Sequence, residues 1–334
     1  MDCDKREIEY VVMDPSKNIT ILVLSKVLKD QRESVSKRLL EIEKSAEQVG
    51  FLTYGDKCDI TIEMAGGEFC GNATMSAAVY FAMDKGIESG TVKVLACGEP
   101  VNVEVKCIDD KGEGSHSSPV RSEGSHSSPV RSEGSHSSPV RSEGSHNSPV
   151  RCDLQNLPAH SVYEGIVEMP RAKEIKEVKF SSGETFTVVF FEGIAHIIFE
   201  TNEQCDSELK RYLESNIKVW CEFLKVPAMG VMVCDKGSHS STIRSDDFTS
   251  IDSCCEMSMI ALVYVKSVDT LYWESSCASG TTAVGAYFTK VLNKSVTIDV
   301  WQTSGTKLTI KSNEDGRLQL KGQVEYLYTI CKGN

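Results

Sequence analysis

Apolar and polar residues alternate with the period of a β-strand along much of the chain. The segments ITIEM from position 60, TVKV and VNVEV between positions 91 and 105, and TIDV and KLTIK between positions 297 and 311 follow this period. Two runs of small residues, NATMSAAVYF and ASGTTAVGAYF, interrupt the alternation and predict buried helices. The pattern therefore predicts strands and hairpins with two buried helices among them.

The two predicted helices belong to a longer internal repeat. Each begins at a cysteine, Cys70 or Cys277, which is followed by a threonine four residues later and by a Tyr-Phe pair ten residues later. A strand-like stretch and a turn of small residues precede each cysteine, and a strand, a turn and a second strand follow each helix. We therefore predict two similar halves, each built of a strand, a cysteine turn, a helix and a hairpin.

The position of each cysteine, directly before a predicted helix, suggests chemistry. Free N–H groups and the helix dipole favour anions there, and the same field is expected to lower a thiol pKa. Two such thiols facing each other across a cleft would lie on the two sides of the α-carbon of a bound carboxylate. That arrangement suits removal of a proton from one face and its return to the other. We interpret the other eleven of the thirteen cysteines as small buried hydrophobes or surface thiols.

Composition excludes several classes of protein. The formal net charge is −12, which argues against a nucleic-acid partner. No apolar run approaches the ~18–20 residues that cross a bilayer. The first residues, MDCDKRE, lack the apolar segment of a secretory signal. We therefore expect a cytoplasmic protein without a membrane partner, whose thiols stay reduced.

A ten-residue repeat, GSHSSPVRSE, runs from Gly114 to Arg151, and the related GSHSSTIRSD spans Gly237 to Asp246. With one apolar residue per unit, the repeat cannot bury enough surface to form a core, so we predict disordered insertions. Five of the seven histidines lie in these repeats. Their spacing is a weak metal-ligand pattern, and we expect no metal site.

CGNAT at Cys70 and CASGTTA at Cys277 resemble the cysteine motifs of the diaminopimelate epimerase superfamily, the cofactor-independent amino-acid racemases and epimerases. The resemblance covers nearly the whole chain outside the two insertions. It implies an α+β fold of two pseudo-symmetric domains, each a mixed sheet wrapped around a central helix, with the active site in the cleft between them. It also implies catalysis without pyridoxal phosphate or another cofactor, a small amino-acid substrate, and compatibility with a homodimer.

Residue by residue, the resemblance makes Cys70 and Cys277 the acid–base pair. Carboxylate binding falls to backbone groups at the two helix starts, and further segments resemble the family's substrate-binding positions. The expected substrate-binding residues are Asn18, Glu47, Gln48, Gly71, Asn72, His196, Glu274, Ala278 and Ser279.

Departures from the diaminopimelate epimerases bear on the substrate. Ser275 stands where those enzymes have an arginine, and Ile194-Ala195 stand in their Gly-Asn-Pro-His segment. GGEFCGNAT, AEQVGF and GIAH together resemble the histidine racemase branch, so we expect racemisation of histidine. A diaminopimelate epimerase or another racemase of the superfamily is the alternative. Two alternatives come from other functional classes. One is a related lyase or double-bond isomerase, and the other is a non-catalytic amino-acid-binding protein.

The expected division of the chain follows from the repeat and the resemblance. The first half covers residues 5–111, with a strand at 322–334 returning to it. An insertion covers 112–152, and the second half covers 153–321, with its own insertion at 236–256.

Overall fold

The structure is a computed structural model that describes residues 8–55, 57–108, 161–201, 205–235, 254–313 and 315–330. The first seven strands are β1 (Tyr10–Pro15), β2 (Thr20–Val23), β3 (Gln48–Thr53), β4 (Ile60–Met64), β5 (Ser89–Ala96), β6 (Glu99–Ile108) and β7 (Val162–Met169). The remaining strands are β8 (Glu174–Lys179), β9 (Thr185–Phe190), β10 (Ala195–Thr201), β11 (Ala228–Asp235), β12 (Cys254–Val265), β13 (Thr270–Glu274), β14 (Thr297–Trp301), β15 (Lys307–Ser312) and β16 (Leu318–Ile330). The α-helices of this part of the chain are α1 (Arg32–Ile42), α2 (Gly71–Lys85), α3 (Ser207–Leu224) and α4 (Ala278–Leu292).

One mixed sheet contains all of these strands. From β1 it runs in order through β2, β3, β4, β5, β6 and β7 to β16, and β16 pairs in turn with β1, so eight strands close into a barrel. Beyond β16 the sheet continues through β15, β14, β12, β11, β10 and β9 to β8, with β13 paired to β12. The long strand β16 is shared, because its first part pairs with β7 and β15 and its last part with β1.

Helix α2 packs against seven of the eight barrel strands, namely β1, β2, β4, β5, β6, β7 and β16. Nearly all of its residues from Gly71 to Met83 are buried. Small side chains make these contacts possible, because they let the helix approach many strands closely. Helix α4 is built of similarly small residues and packs against β9, β10, β11, β14, β15 and β16. The main hydrophobic core surrounds these two helices.

The other two helices lie on outer faces of the sheet. Helix α3 is amphipathic, and Leu213, Ile217, Trp220 and Cys221 form its buried side against β11 and β12. Asp206 caps it by accepting hydrogen bonds from the N–H groups of Glu208 and Leu209. Helix α1 packs against β3 and covers a smaller core. None of the helices in the described ranges is long and apolar enough to cross a bilayer.

The predicted local units are confirmed. The strand, cysteine turn, helix and hairpin appear as β4, α2, β5 and β6 in the first half, and as β13, α4, β14 and β15 in the second. Both Gly/Ser/His repeats, and with them the predicted disorder, lie outside the described residues. The expected domain boundaries and the pseudo-symmetry of the halves stay predictions.

Candidate active site

Cys70 is the N-cap of α2, as the sequence predicts. Its backbone is extended, with φ −128° and ψ 114°, and its Sγ accepts a hydrogen bond from the N–H of Ala73 at 3.5 Å. The Thr74 hydroxyl donates to the carbonyl of Cys70 at 2.7 Å. A second partner comes from β3, where Gln48 Oε1 accepts the thiol proton of Cys70 at a separation of 3.0 Å. The turn therefore holds both the backbone and the thiol of this cysteine.

Cys277 is the N-cap of α4 in a closely similar conformation, with φ −122° and ψ 103°. Its Sγ accepts from the N–H of Gly280 at 3.2 Å and lies 3.6 Å from the hydroxyl of Ser279. Thr281 donates to the carbonyl of Cys277 at 2.7 Å. The threonine shared by the two sequence repeats thus has the same role in each, because it ties the cysteine carbonyl to the first turn of its helix.

The first turns of α2 and α4 meet. A Cβ built on Gly71 would lie 3.2 Å from the Cβ of Ala278, and 2.8 Å from Sδ of Met169. Glycine at position 71 is therefore needed for the close approach of the two helix starts. Asn72, in the same turn, is buried, and its Oδ1 has no partner among the described residues. The two positive helix ends, each capped by a cysteine, converge on one place.

A polar network connects the Cys70 turn to β2 and β3. Gln48 Nε2 donates to Asn18 Oδ1 at 2.5 Å and to Thr20 Oγ1 at 2.8 Å. Asn18 Nδ2 donates in turn to Glu47 Oε2 at 2.7 Å. The predicted residues Asn18, Glu47, Gln48 and Cys70 therefore form one hydrogen-bonded chain.

Two carboxylates extend this network to the second cysteine. Glu47 accepts hydrogen bonds from Ser275, from both its hydroxyl and its backbone N–H. Glu274, at the end of β13, is hydrogen-bonded to the Cys277 thiol and interacts electrostatically with Glu47. Burial raises the pKa of Glu274 to about 7, and the charge of Glu47 adds to this effect. Burial also raises the pKa of Glu47, against the opposing effect of its hydrogen bonds.

The expected lowering of the thiol pKa values is wrong. Burial raises the pKa of Cys70 to about 12, and it raises that of Cys277 well above the usual range. The helix N–H groups of Ala73 and Gly280 do lower these values, but removal from water has the larger effect. The negative charge of Glu274 opposes ionisation of both thiols. Both cysteines are therefore neutral thiols at pH 7.

His196 does not join this network. It lies on β10 opposite Gly230 of β11, fully buried, and neither ring nitrogen has a partner within the described part of the chain. Burial lowers its pKa to about 3, so the ring is neutral. A Cβ on Gly230 would overlap His196 Nδ1, and a Cβ on Gly280 would overlap Sδ of Met232. Met232 also reaches Gly230, so its side chain lies between His196 and the first turn of α4.

Two contacts within the site involve residues that the sequence did not single out as binding residues. Ser275 was noted only as a departure from the epimerases, yet it contacts Glu47. Gln302, which follows β14, accepts a hydrogen bond from the Cys277 N–H at 3.0 Å. The internal repeat carries no signal for Gln302, because the corresponding turn in the first half is the tight Cys97-Gly98 pair.

The chemistry available at this site is that of acids, bases and hydrogen-bond donors. Two thiols, two carboxyl groups and two helix N-termini lie together. Among the described residues, no group of three or more His, Cys, Asp or Glu side chains has the arrangement of a metal site.

Known proteins resemble this chain in sequence and in fold. A histidine racemase from Fusobacterium nucleatum is 26% identical to the chain, over 88% of the chain and 86% of that protein. Among solved structures, a predicted epimerase from Pseudomonas aeruginosa superposes with a TM-score of 0.58 at 12% identity, covering 98% of this chain and all of that one. A probable proline racemase from Agrobacterium radiobacter superposes with a TM-score of 0.52 at 10% identity, and the match covers 98% of this chain and 92% of that one. These two likenesses are of fold.

The family model described as the histidine racemase CntK N-terminal domain matches residues 7–122 and 253–329, more than half of the chain. The match includes the segments that carry both cysteine turns. The chain therefore belongs to the histidine racemase family and is an isomerase, an amino-acid racemase.

Proposed function

We propose that this racemase interconverts L- and D-histidine by proton transfer between Cys70, the substrate α-carbon and Cys277. The observation that carries the proposal is the convergence of two cysteine-capped helix starts, within contact distance at Gly71 and Ala278. A substrate carboxylate between these starts faces the first N–H groups of both helices, those of Gly71, Asn72, Ala278 and Ser279, which have no intrahelical acceptor. The same donors stabilise the negative charge that develops when the α-proton leaves.

When substrate binds, one cysteine releases its thiol proton to solvent and acts as the thiolate base, while the other stays protonated and acts as the thiol acid. The roles exchange for the opposite enantiomer. Glu274 binds the substrate ammonium group, and Asn18 orients it. The bound ammonium group also offsets the charge of Glu274, which in its absence opposes ionisation of both thiols. In this scheme the protons that leave and reach the α-carbon are carried by the two thiols, which exchange them with solvent.

Side-chain recognition of histidine is assigned to Glu47. Its carboxylate is hydrogen-bonded by Asn18 and Ser275, and it can accept a further N–H from an imidazole ring. A distal carboxylate, as in diaminopimelate, would instead approach two carboxyl groups, Glu47 and Glu274. Ser275 offers it no positive charge. The charge of the pocket therefore favours histidine over diaminopimelate.

We further propose that the chain consists of two pseudo-symmetric halves at the expected boundaries, each with a central helix. Support comes from the repeated order of strand, cysteine turn, helix and hairpin, and from the many strands that contact α2 and α4. The homodimer and the cytoplasmic location remain predictions.

The test is deuterium incorporation at the α-carbon in heavy water, measured by NMR with a panel of free amino acids. Wild-type protein should exchange and racemise L-histidine. Cys70→Ser and Cys277→Ser should each lower turnover by about 100-fold or more, and Cys58→Ser, outside the site, should retain it. Exchange with diaminopimelate in place of histidine contradicts the substrate assignment. Wild-type turnover in either site variant contradicts the two-base mechanism, and no exchange with any amino acid favours a binding protein.

A further inference from the structure

Gln302 lies in the loop between β14 and β15 and is buried against the start of α4. Its amide is used at both ends. Oε1 accepts the backbone N–H of Cys277 at 3.0 Å, and Nε2 donates to the carbonyl of Val300 at 3.0 Å and to Oγ1 of Thr281 at 3.2 Å. The bond to Val300 fixes the orientation of the amide, so that its oxygen faces Cys277.

Gln302 and Thr281 together hold both backbone polar groups of Cys277. The Thr281 hydroxyl donates a hydrogen bond to the carbonyl of Cys277 at 2.7 Å and accepts one from Gln302 Nε2. Gln302 Oε1 accepts a hydrogen bond from the backbone N–H of Cys277. The peptide planes on both sides of Cys277 are thereby fixed. Since these planes set the direction of the Cα–Cβ bond, they also set where Sγ lies relative to the Gly280 N–H.

The first half carries only part of this arrangement. Thr74 donates to the carbonyl of Cys70 at 2.7 Å, as Thr281 does to that of Cys277. The hairpin that follows α2, however, turns through Cys97 and Gly98, both with positive φ, and offers no amide side chain. The thiol of Cys97 donates a hydrogen bond to the carbonyl of Gly67, in the loop before Cys70. The amide support is therefore specific to Cys277.

The same loop contacts the rest of the site. The N–H of Ser304 donates to the carbonyl of Ser275 at 3.0 Å, and the hydroxyl of Thr306 donates to the carbonyl of Ser16 at 2.8 Å. Ser16 lies two residues before Asn18. The loop of residues 302–306 thus connects the Cys277 turn to the turn that carries Asn18.

Building on the proposed function, we propose that Gln302 is a positioning residue that holds Cys277 in the geometry required for proton transfer at the α-carbon. It contacts the backbone of Cys277 and does not contact the substrate. Its loss should therefore lower kcat more than it changes KM, and it should alter the environment of one thiol and leave the other unchanged.

The test compares four variants. Gln302→Met keeps the length of the side chain and removes both hydrogen-bonding ends, and Gln319→Met is the matched change on β16. Thr281→Val removes the second member of the support at Cys277, and Thr74→Val is its counterpart at Cys70. Each variant is assayed for kcat and KM with L-histidine. The rate of alkylation by iodoacetamide is measured by mass spectrometry at Cys70 and Cys277 of the same molecules.

We expect Gln302→Met to lower kcat by about tenfold or more with a smaller change in KM, because small displacements of a reacting group are costly. Alkylation at Cys277 should change by about threefold or more while that at Cys70 stays constant. Thr281→Val should shift the same site, Thr74→Val should shift Cys70, and Gln319→Met should shift neither.

Equal changes at both thiols, or a kcat within about twofold of wild type, overturn the assignment. If Gln302→Met does not fold, Thr281→Val decides, since it must then alter Cys277 and leave Cys70 unchanged. The alkylation rates do not depend on turnover. A wild-type protein that fails to racemise histidine therefore refutes the proposed function, and the comparison of the two thiols still decides the role of Gln302.

Discussion

Replacement of Glu274 by glutamine should make the protein less dependent on pH for its stability. In the folded protein, burial and the charge of Glu47 raise the pKa of Glu274 from 4.5 to about 7. Between these values the folded state binds more protons than the unfolded state, so the free energy of unfolding falls as the pH rises. The contribution of Glu274 to stability is fully present below pH 4.5 and is lost as the pH passes through about 7.

The size of this effect follows from the two pKa values. For a fully buried carboxyl, the linkage relation gives a loss of about 2.5 kcal/mol between about pH 5 and about pH 8. Glu274 keeps partial contact with solvent, which screens the effect, so we expect about 1 kcal/mol. Glutamine cannot ionise, and Glu274→Gln should therefore remove this part of the pH dependence. Glu47 contributes in the same direction and remains in the variant.

The assay is urea unfolding at about pH 5 and about pH 8, under reducing conditions, for wild type, Glu274→Gln and the exposed control Glu104→Gln. The difference in unfolding free energy between the two pH values should be about 1 kcal/mol smaller in Glu274→Gln than in the other two proteins. Racemisation should be lost in the same variant, because the substrate ammonium loses its partner. An identical pH dependence in all three proteins would falsify the idea that Glu274 is held in a destabilised, charged form at pH 8.

Three further changes test other parts of the site. Gly71→Ala places a Cβ 2.8 Å from Met169 Sδ and 3.2 Å from the Ala278 Cβ. This crowding should abolish racemisation and lower the free energy of unfolding by ~1 kcal/mol. Gly90→Ala, where a Cβ meets no such crowding, is the control. Glu47→Gln should raise KM for L-histidine about tenfold with little change in kcat, because the imidazole loses a charged hydrogen-bond acceptor. An unchanged KM would show that another residue recognises the side chain. His196→Met should raise the midpoint temperature of thermal unfolding, because it removes two buried ring nitrogens without partners among the described residues. A clear decrease would show that these nitrogens are hydrogen-bonded in the folded protein.

The sequence predicted best what local patterns determine. Cysteine followed by small residues predicted the N-caps of α2 and α4, and alternation predicted the hairpins of β5 with β6 and of β14 with β15. The closure of the barrel had a weaker signal. It depends on β16 pairing with β1, more than 300 residues away, and no periodic pattern specifies a partner at that distance.

Side-chain contacts divide in the same way. Asn18, Glu47 and Gln48 were placed through family resemblance, and the structure connects them to Cys70 through hydrogen bonds. Gln302 stands in no motif and was missed. The sequence predicts lowered thiol pKa values because it shows that each cysteine precedes a helix. The burial that raises these pKa values depends on the assembled core, which the local sequence does not specify.

The two cysteines occupy similar turns, yet their surroundings make them chemically different. The thiol of Cys70 bonds to the neutral amide of Gln48, whereas that of Cys277 bonds to the carboxyl of Glu274. L- and D-histidine have equal free energies, so kcat/KM must be the same in both directions whatever the asymmetry of the site. The difference between the thiols can therefore appear only in how kcat and KM divide for each enantiomer, and in which enantiomer exchanges its α-proton faster than it is converted. Under two-base proton transfer, Cys277 is the base for one enantiomer and the acid for the other, so loss of Glu274 or Gln302 should lower the turnover of both enantiomers and divide the loss between kcat and KM differently for each.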